Sequence, residues 1–262
     1  MRMMLIAFLA LSVAPVGAQD MMRNVDLSSP DMISAEMTRA DVEAALAAAA
    51  GRQKTADFTG KRLSGLDLSG LDLSGAVLRA ARLNKTKLVG ARLERAVLDQ
   101  AWLLETDLRG AKLQGANLFA TQMQRAKLDG ADLSGARVVA DMTGASLTGA
   151  SLANARMGAD MKNQSMGLMR AVLTSAKLDG ANLRGADLAR AGIEFASLKG
   201  ADLTDASLAG ADLGGADLRG AFVAGADFSG TDLTSTRLVG TIGLHAAKNL
   251  DKAQNLERAI RN

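Results

Sequence analysis

An apolar residue returns at every fifth position along most of this chain. From Phe58 through Leu63, Leu68 and Leu73 to Val138 the beat is unbroken, and it resumes from Leu173 to Leu238. All 31 of these slots hold Leu, Ile, Val, Phe or Met. Two residues before the slot, Ala fills 23 positions and Thr another 5; two residues after it, Gly fills 18. Asp, Asn, Lys or Arg commonly stands just before the slot, as in Ala131-Asp132-Leu133-Ser134-Gly135.

A helix repeats every 3.6 residues and a flat strand every 2, so neither explains a period of five. A unit with two inward positions, the slot and the small residue before it, fits one straight side followed by one corner. The Leu fills the centre, the Ala leaves room at the edge, and Gly tolerates the corner dihedrals. Four such sides close a coil of twenty residues, and successive coils stack at strand spacing of about 4.8 Å. The expected fold is an all-β solenoid: a quadrilateral β-helix of roughly nine coils over residues 56–240, with short helical caps.

The A-(D/N)-L-x-G array resembles the pentapeptide repeat family. That resemblance implies a right-handed quadrilateral β-helix. It implies little about function. Some members mimic duplex DNA and bind DNA gyrase, which requires an acidic surface along much of the rod and a cytoplasmic address. Neither requirement fits here, as the charges and the N-terminus below show, so that role is not carried over.

Between the two runs the phase slips. Val138 to Met142 is one residue short, and Met157 to Leu173 is one residue more than three units, so residues 139–170 are expected to be irregular, with a bulge or loop within 158–170. Both ends of a β-helix need covers. Thr38 is a good N-cap with Asp41 three residues on, and the Ala-rich stretch to Ala50 predicts a capping helix within 38–55, stopped by Gly51. Residues 19–37 lack periodicity and are expected to be flexible. In residues 241–262, Leu244, Leu250 and Leu256 recur on a six-residue step, which predicts a turn-rich or helical cap, most helical from Ala253 to Ile260. The resembled family sometimes dimerises through such a cap, so a homodimer there is one expectation.

The N-terminus has the pattern of a secretory signal: Arg2, an apolar run from Met3 to Ala14, then Val16-Gly17-Ala18. The run is too short for a membrane span of about 20 residues. It predicts cleavage after Ala18, a periplasmic or secreted product and no membrane insertion once the signal is removed. The formal charge of +3 is too small to predict nucleic-acid binding. It is unevenly spread, however: residues 61–137 carry 13 Lys/Arg against 8 Asp/Glu, whereas residues 200–233 carry six Asp against Arg219 alone. A column such as Asp67, Lys87, Asp107, Lys127 alternates in sign and reads as cross-strand pairing.

Catalysis is discouraged. The chain has no Cys and one histidine, His245, without an evident partner, and its carboxylates are set on a convex rod rather than in a pocket. No cofactor motif is present. Outward Thr ladders for ice binding also fail, because Thr86, Thr106, Thr121, Thr231 and Thr236 take the inward small position. Two binding hypotheses remain. Val77, Val97, Trp102, Leu104 and Phe119 take outward positions on two adjacent faces, forming an apolar surface for an unidentified protein partner unless the N-terminal segment folds back over it. Met157, Met161, Met166 and Met169 crowd the irregular segment, and soft thioethers select Cu(I), although Met also fills core gaps well.

Overall fold

The computed structural model describes residues 25–161 and 169–261. Within them the chain winds as a four-sided rod whose flank residues pair in parallel with those one coil later. Face I carries Asp57, Val77, Val97, Asn117 and Arg137 in succession; face II starts at Arg62, face III at Asp67 and face IV at Asp72. Ten rungs stack on each of the first three faces and nine on the fourth, close to ten coils rather than nine. The additional coil lies after Gly240, in the stretch expected to be a cap.

Each side is held from above and below. Leu133 N–H donates to Ser151 O at 2.7 Å, and Asp132 N–H to Ala111 O at 2.9 Å. The slot residues and the small Ala residues point inward and form one continuous core with almost no exposure. The five inward Thr residues are buried without an orphan hydroxyl. Thr106 Oγ1 donates to Leu83 O of the coil below at 2.7 Å, and Thr86, Thr121, Thr231 and Thr236 do the same. A hydroxyl of Ala-like size is tolerated there because its partner is already in place.

The corners are four-residue turns closed by bonds such as Lys61 N–H to Phe58 O. Only the third residue has a positive φ, as at Gly60 with +67°, which is the type II pattern and suits Gly. Thirteen corners hold another residue at this left-handed position: Ala80, Lys85, Arg95, Gln100, Glu105, Ala120, Arg125, Asn154, Ser175, Arg190, Phe195, Asp205 and Ser235. Flank Asp residues lock the turn from outside. Asp132 Oδ1 accepts from Ser134 N–H at 2.9 Å, and Asp57, Asp72 and Asp232 make the same bond two residues on.

Both phase slips have structural counterparts. Pairing advances by nineteen residues from Gln122 to Asp141, so the corner at Val139 and Ala140 has lost a residue. From Arg156 on face I to Val172 on face II the chain uses sixteen residues where five suffice, an insertion of eleven that leaves at the corner between those faces.

The ends differ. Helix α1 spans Pro30–Ile33 and helix α2 spans Arg39–Gly51. Thr38 and Asp41 form a full capping box, and α2 ends at Gly51, with the left-handed residue two positions later at Gln53, φ 52°. Helix α2 seats Val42 in the core, with Ala45, Leu46 and Ala49 against it. In the first coil the small position holds Leu66 and Leu71, which are partly buried and pack against the core.

Residues 25–37 are not loose. Glu36 N–H donates to Arg62 O at 2.9 Å and its carboxylate accepts from Arg62 N–H, so it continues the backbone pairing of face II. Asp31 pairs with the Arg62 guanidinium at 2.6 Å, and buried Asn84 donates to Met32 O.

The far end is turn-rich, one of the two expected forms, but it keeps winding with the rod. Ile242, Lys248, Gln254 and Ile260 each pair with the preceding coil, and each side between them has six residues containing a short 3-10 turn. Gly243, Asn249 and Asn255 supply the left-handed residue before each turn. Asn249 and Asn255 donate to Asp227 and Asp232 of the coil below at 2.9 Å. Regular six-residue spacing therefore widens the coil instead of leaving it. Leu244, Leu250 and Leu256 pack on the core but remain half-buried.

Two tests follow from the packing. Leu128→Ala leaves a cavity between stacked coils and lowers stability by about 3 kcal/mol, whereas Arg125→Gly relieves a left-handed corner and raises it by about 1 kcal/mol; denaturant melts of both check the pair. The Asp locks set a pH dependence. Asp57, Asp67 and Asp72 are held below the ordinary carboxylate range by the hydroxyl and amide two residues on, and Asp217 mainly by Arg219. The unfolded chain therefore takes up protons first. This stability is fully present above about pH 4 and is lost as pH falls through the lower folded values. The denaturation midpoint should drop steeply below that point, and Asp217→Asn should flatten the slope.

Candidate partner-binding surface

The five outward apolar residues gather around face II. Trp102 stands on it, paired between Arg82 and Gln122. Phe119 occupies the corner between faces I and II, and Leu104 the corner between faces II and III. Val77 and Val97 pair with each other on the adjoining face I. All five are half-buried rather than open.

Two elements account for the covering. Arg137 lays its guanidinium over the Phe119 ring at 4.0 Å and is itself held by Asp160 at 2.9 Å, a residue of the insertion. Leu104 lines a cleft of about 310 Å³ together with Leu27, Met32 and Ile33 of the N-terminal segment. That segment thus folds back over one edge of the surface and leaves Trp102 between the two coverings.

Several exposed apolar residues lie elsewhere and were not singled out from the sequence. Phe222 and Ile242 pair on face IV, Ile260 ends face III, and Phe195 is 70% exposed at a corner. A signal for Phe195 was present: Glu194-Phe195 puts an aromatic where the repeat asks for Gly.

Three of the four candidate methionines fall within the described residues. Met157 is fully buried in a regular core slot. Met161 is half exposed, Met169 accepts Asp160 N–H through its carbonyl at 2.8 Å, and Met166 lies outside the described residues. Among the described residues no group of three His, Cys, Asp or Glu side chains could hold a metal ion. His245 is exposed in the last coil. The alternating column on face III yields one close pair, Lys87 to Asp67 at 3.7 Å; Asp107 is taken by Arg109 at 2.6 Å instead.

The fold and this surface define a four-sided solenoid of stacked five-residue sides. The family model for pentapeptide repeats matches eight copies, over residues 56–95, 91–128, 103–138, 168–205 and 206–242. The chain belongs to the pentapeptide repeat family, whose members form right-handed quadrilateral β-helices and are generally non-enzymatic. Among solved structures it is similar to HetL, a pentapeptide repeat protein involved in heterocyst differentiation regulation in the cyanobacterium Nostoc sp. strain PCC 7120. That match has 31% identity over 86% of this chain and 100% of HetL, with a TM-score of 0.50. The plasmid-mediated fluoroquinolone resistance protein QnrB1 is 15% identical over 73% of this chain and 91% of its own, with a TM-score of 0.49. A pentapeptide repeat protein of the Arabidopsis thaliana thylakoid lumen is 37% identical over 36% of this chain and 63% of its own, with a TM-score of 0.30. Comparison with curated proteins returned no match.

Proposed function

We propose that this is an exported, non-enzymatic rod that binds a protein partner through face II and its two bordering corners. The distribution of strained corners supports this reading. Of the thirteen side-chain-bearing left-handed corners, ten border face II: Ala80, Gln100, Ala120 and Arg190 on one edge, and Lys85, Glu105, Arg125, Ser175, Phe195 and Ser235 on the other. The corner between faces III and IV is Gly at all nine rungs, from Gly70 to Gly240. Each non-Gly residue there costs roughly 1 kcal/mol or more, and strain of this kind concentrates where side chains serve a function. Trp102, Leu104 and Phe119 lie inside the same border.

Export rests on the N-terminal pattern up to Ala18, which lies outside the described residues. No described helix is long and apolar enough to cross a membrane. A second contact, between two copies at the last described coil, is favoured by the half-buried Leu244, Leu250 and Leu256.

The partner reading is tested by a pull-down from periplasmic extract with residues 19–262, beside Trp102→Glu and Phe119→Glu proteins whose melting is unchanged. A protein retained by the parent and lost by both variants supports face II; equal recovery by all three removes it. For the second contact, sedimentation should show a dimer that Leu250→Glu converts to monomer, and a parent that is monomeric at high micromolar concentration would discard it.

A further inference from the structure

Phe195 is the one aromatic residue among the left-handed corners of the described residues. It holds φ at +58° and leaves 70% of its surface in water, so neither backbone comfort nor burial explains it. Its ring lies across Gly215 of the next coil; a Cβ there would come within 2.7 Å of Phe195 Cδ1. Among the described corners, Gly214-Gly215 is the one with Gly at both central positions, so the ring borders a floor of bare backbone.

Carboxylates surround this floor. Glu194 precedes the ring, and Asp212 and Asp232 stack on face II directly beyond Gly192. None of the three forms an ion pair among the described residues, although Arg258 exerts a pull on Asp232. Elsewhere on the rod, flank carboxylates do take cations, as Asp202 takes Arg184 and Asp217 takes Arg219. The chain itself shows what such a floor accepts: the Arg170 guanidinium lies over Gly192, 3.2 Å from where a Cβ would stand, and Nη1 donates to Arg190 O.

We propose that Phe195, Gly214, Gly215, Asp212 and Asp232 form a docking site for an arginine-bearing segment of a partner protein. One guanidinium stacks on the exposed ring while its neighbours meet the carboxylates of Asp212 and Asp232, whose Oδ1 atoms already accept from the turn amides of Gly214 and Thr234. The charge at the site favours that occupant, since Asp212 and Asp232 stack on successive rungs of face II beside the ring. This goes beyond the Trp102 surface, four rungs away, and does not depend on it.

The probe is a fluorescein-labelled hexa-arginine peptide, titrated into residues 19–262 at low salt with anisotropy as readout. Saturable binding is expected, weakened roughly 5-fold by Phe195→Gly and further by Asp212→Asn with Asp232→Asn. Phe195→Gly puts the residue favoured at a left-handed corner in place and should melt no lower than the parent, which separates a binding role from a structural one. Binding unchanged by Phe195→Gly, or sensitive to the Asp changes alone, would overturn the site, as would a lack of saturation. Self-association abolished by Phe195→Gly would make the occupant a second copy and overturn the assignment to a partner. Trp102→Glu should leave the titration unchanged, so failure here and failure of the face II pull-down are told apart.

Discussion

The left-handed corner is the constraint on which the rest of the rod depends. A side of five residues can be straight for only three, and the chain must then turn about a right angle without losing its pairing to the coils above and below. A type II turn does this at the expense of one residue with positive φ. Once that turn is set, the slot and the small residue face inward, the flank residue faces outward, and the rung spacing follows from the backbone bonds. Where the flank residue is Asp it caps the turn at the same place, which is why many of these carboxylates are held ionised by local hydroxyls and amides.

A solenoid solves its interior once and repeats the answer, so the remaining problems are its ends and its interruptions. At the start, larger Leu residues replace Ala in the first coil and α2 closes the core, while Glu36 and Asp31 satisfy the backbone and guanidinium of Arg62. At the other end the chain keeps pairing but lengthens each side by one residue. The extra residue is accommodated by a 3-10 turn behind a left-handed Gly or Asn. The interior interruption is of another kind: one residue lost at Ala140 and eleven gained after Arg156 alter the surface on faces I and II while Leu147, Leu152 and Met157 of the coil between them stay buried in the core.

These differences also explain what could be read from the chain alone. The five-residue beat specifies the fold because each slot reports burial directly, and the inward Thr residues and both phase slips were visible for the same reason. The six-residue beat of Leu244, Leu250 and Leu256 was equally visible, but a 3.6-residue helix and a widened coil both bury a Leu and an Ala per step. Only the pairing of Ile242 with Phe222 and of Ile260 with Arg237 distinguishes them. The packing of residues 25–37 could not be read at all, since it rests on single contacts, Glu36 to Arg62 and Asn84 to Met32, without a period. The five apolar residues around Trp102 were recognisable as outward, and a fold-back of the N-terminal segment over them was one of the alternatives; the part that Arg137 plays was not legible.

In a protein whose interior is a repeat, information about a partner has to reside in departures from the repeat. A Leu in a slot or a Gly at a corner is accounted for by folding. An Arg, Glu or Phe at a left-handed corner lowers stability relative to Gly, and random loss of Gly would spread such residues over all four edges. Here they avoid the edge between faces III and IV and crowd both edges of face II, the same face to which the N-terminal segment adds a strand-like pairing and to which the insertion returns at Val172. Faces III and IV, smooth and relaxed at their shared corner, are what the repeat produces when nothing else is asked of it. The contrast between the two sides of one rod, measured in backbone strain, separates the surface that folding explains from the surface that it does not.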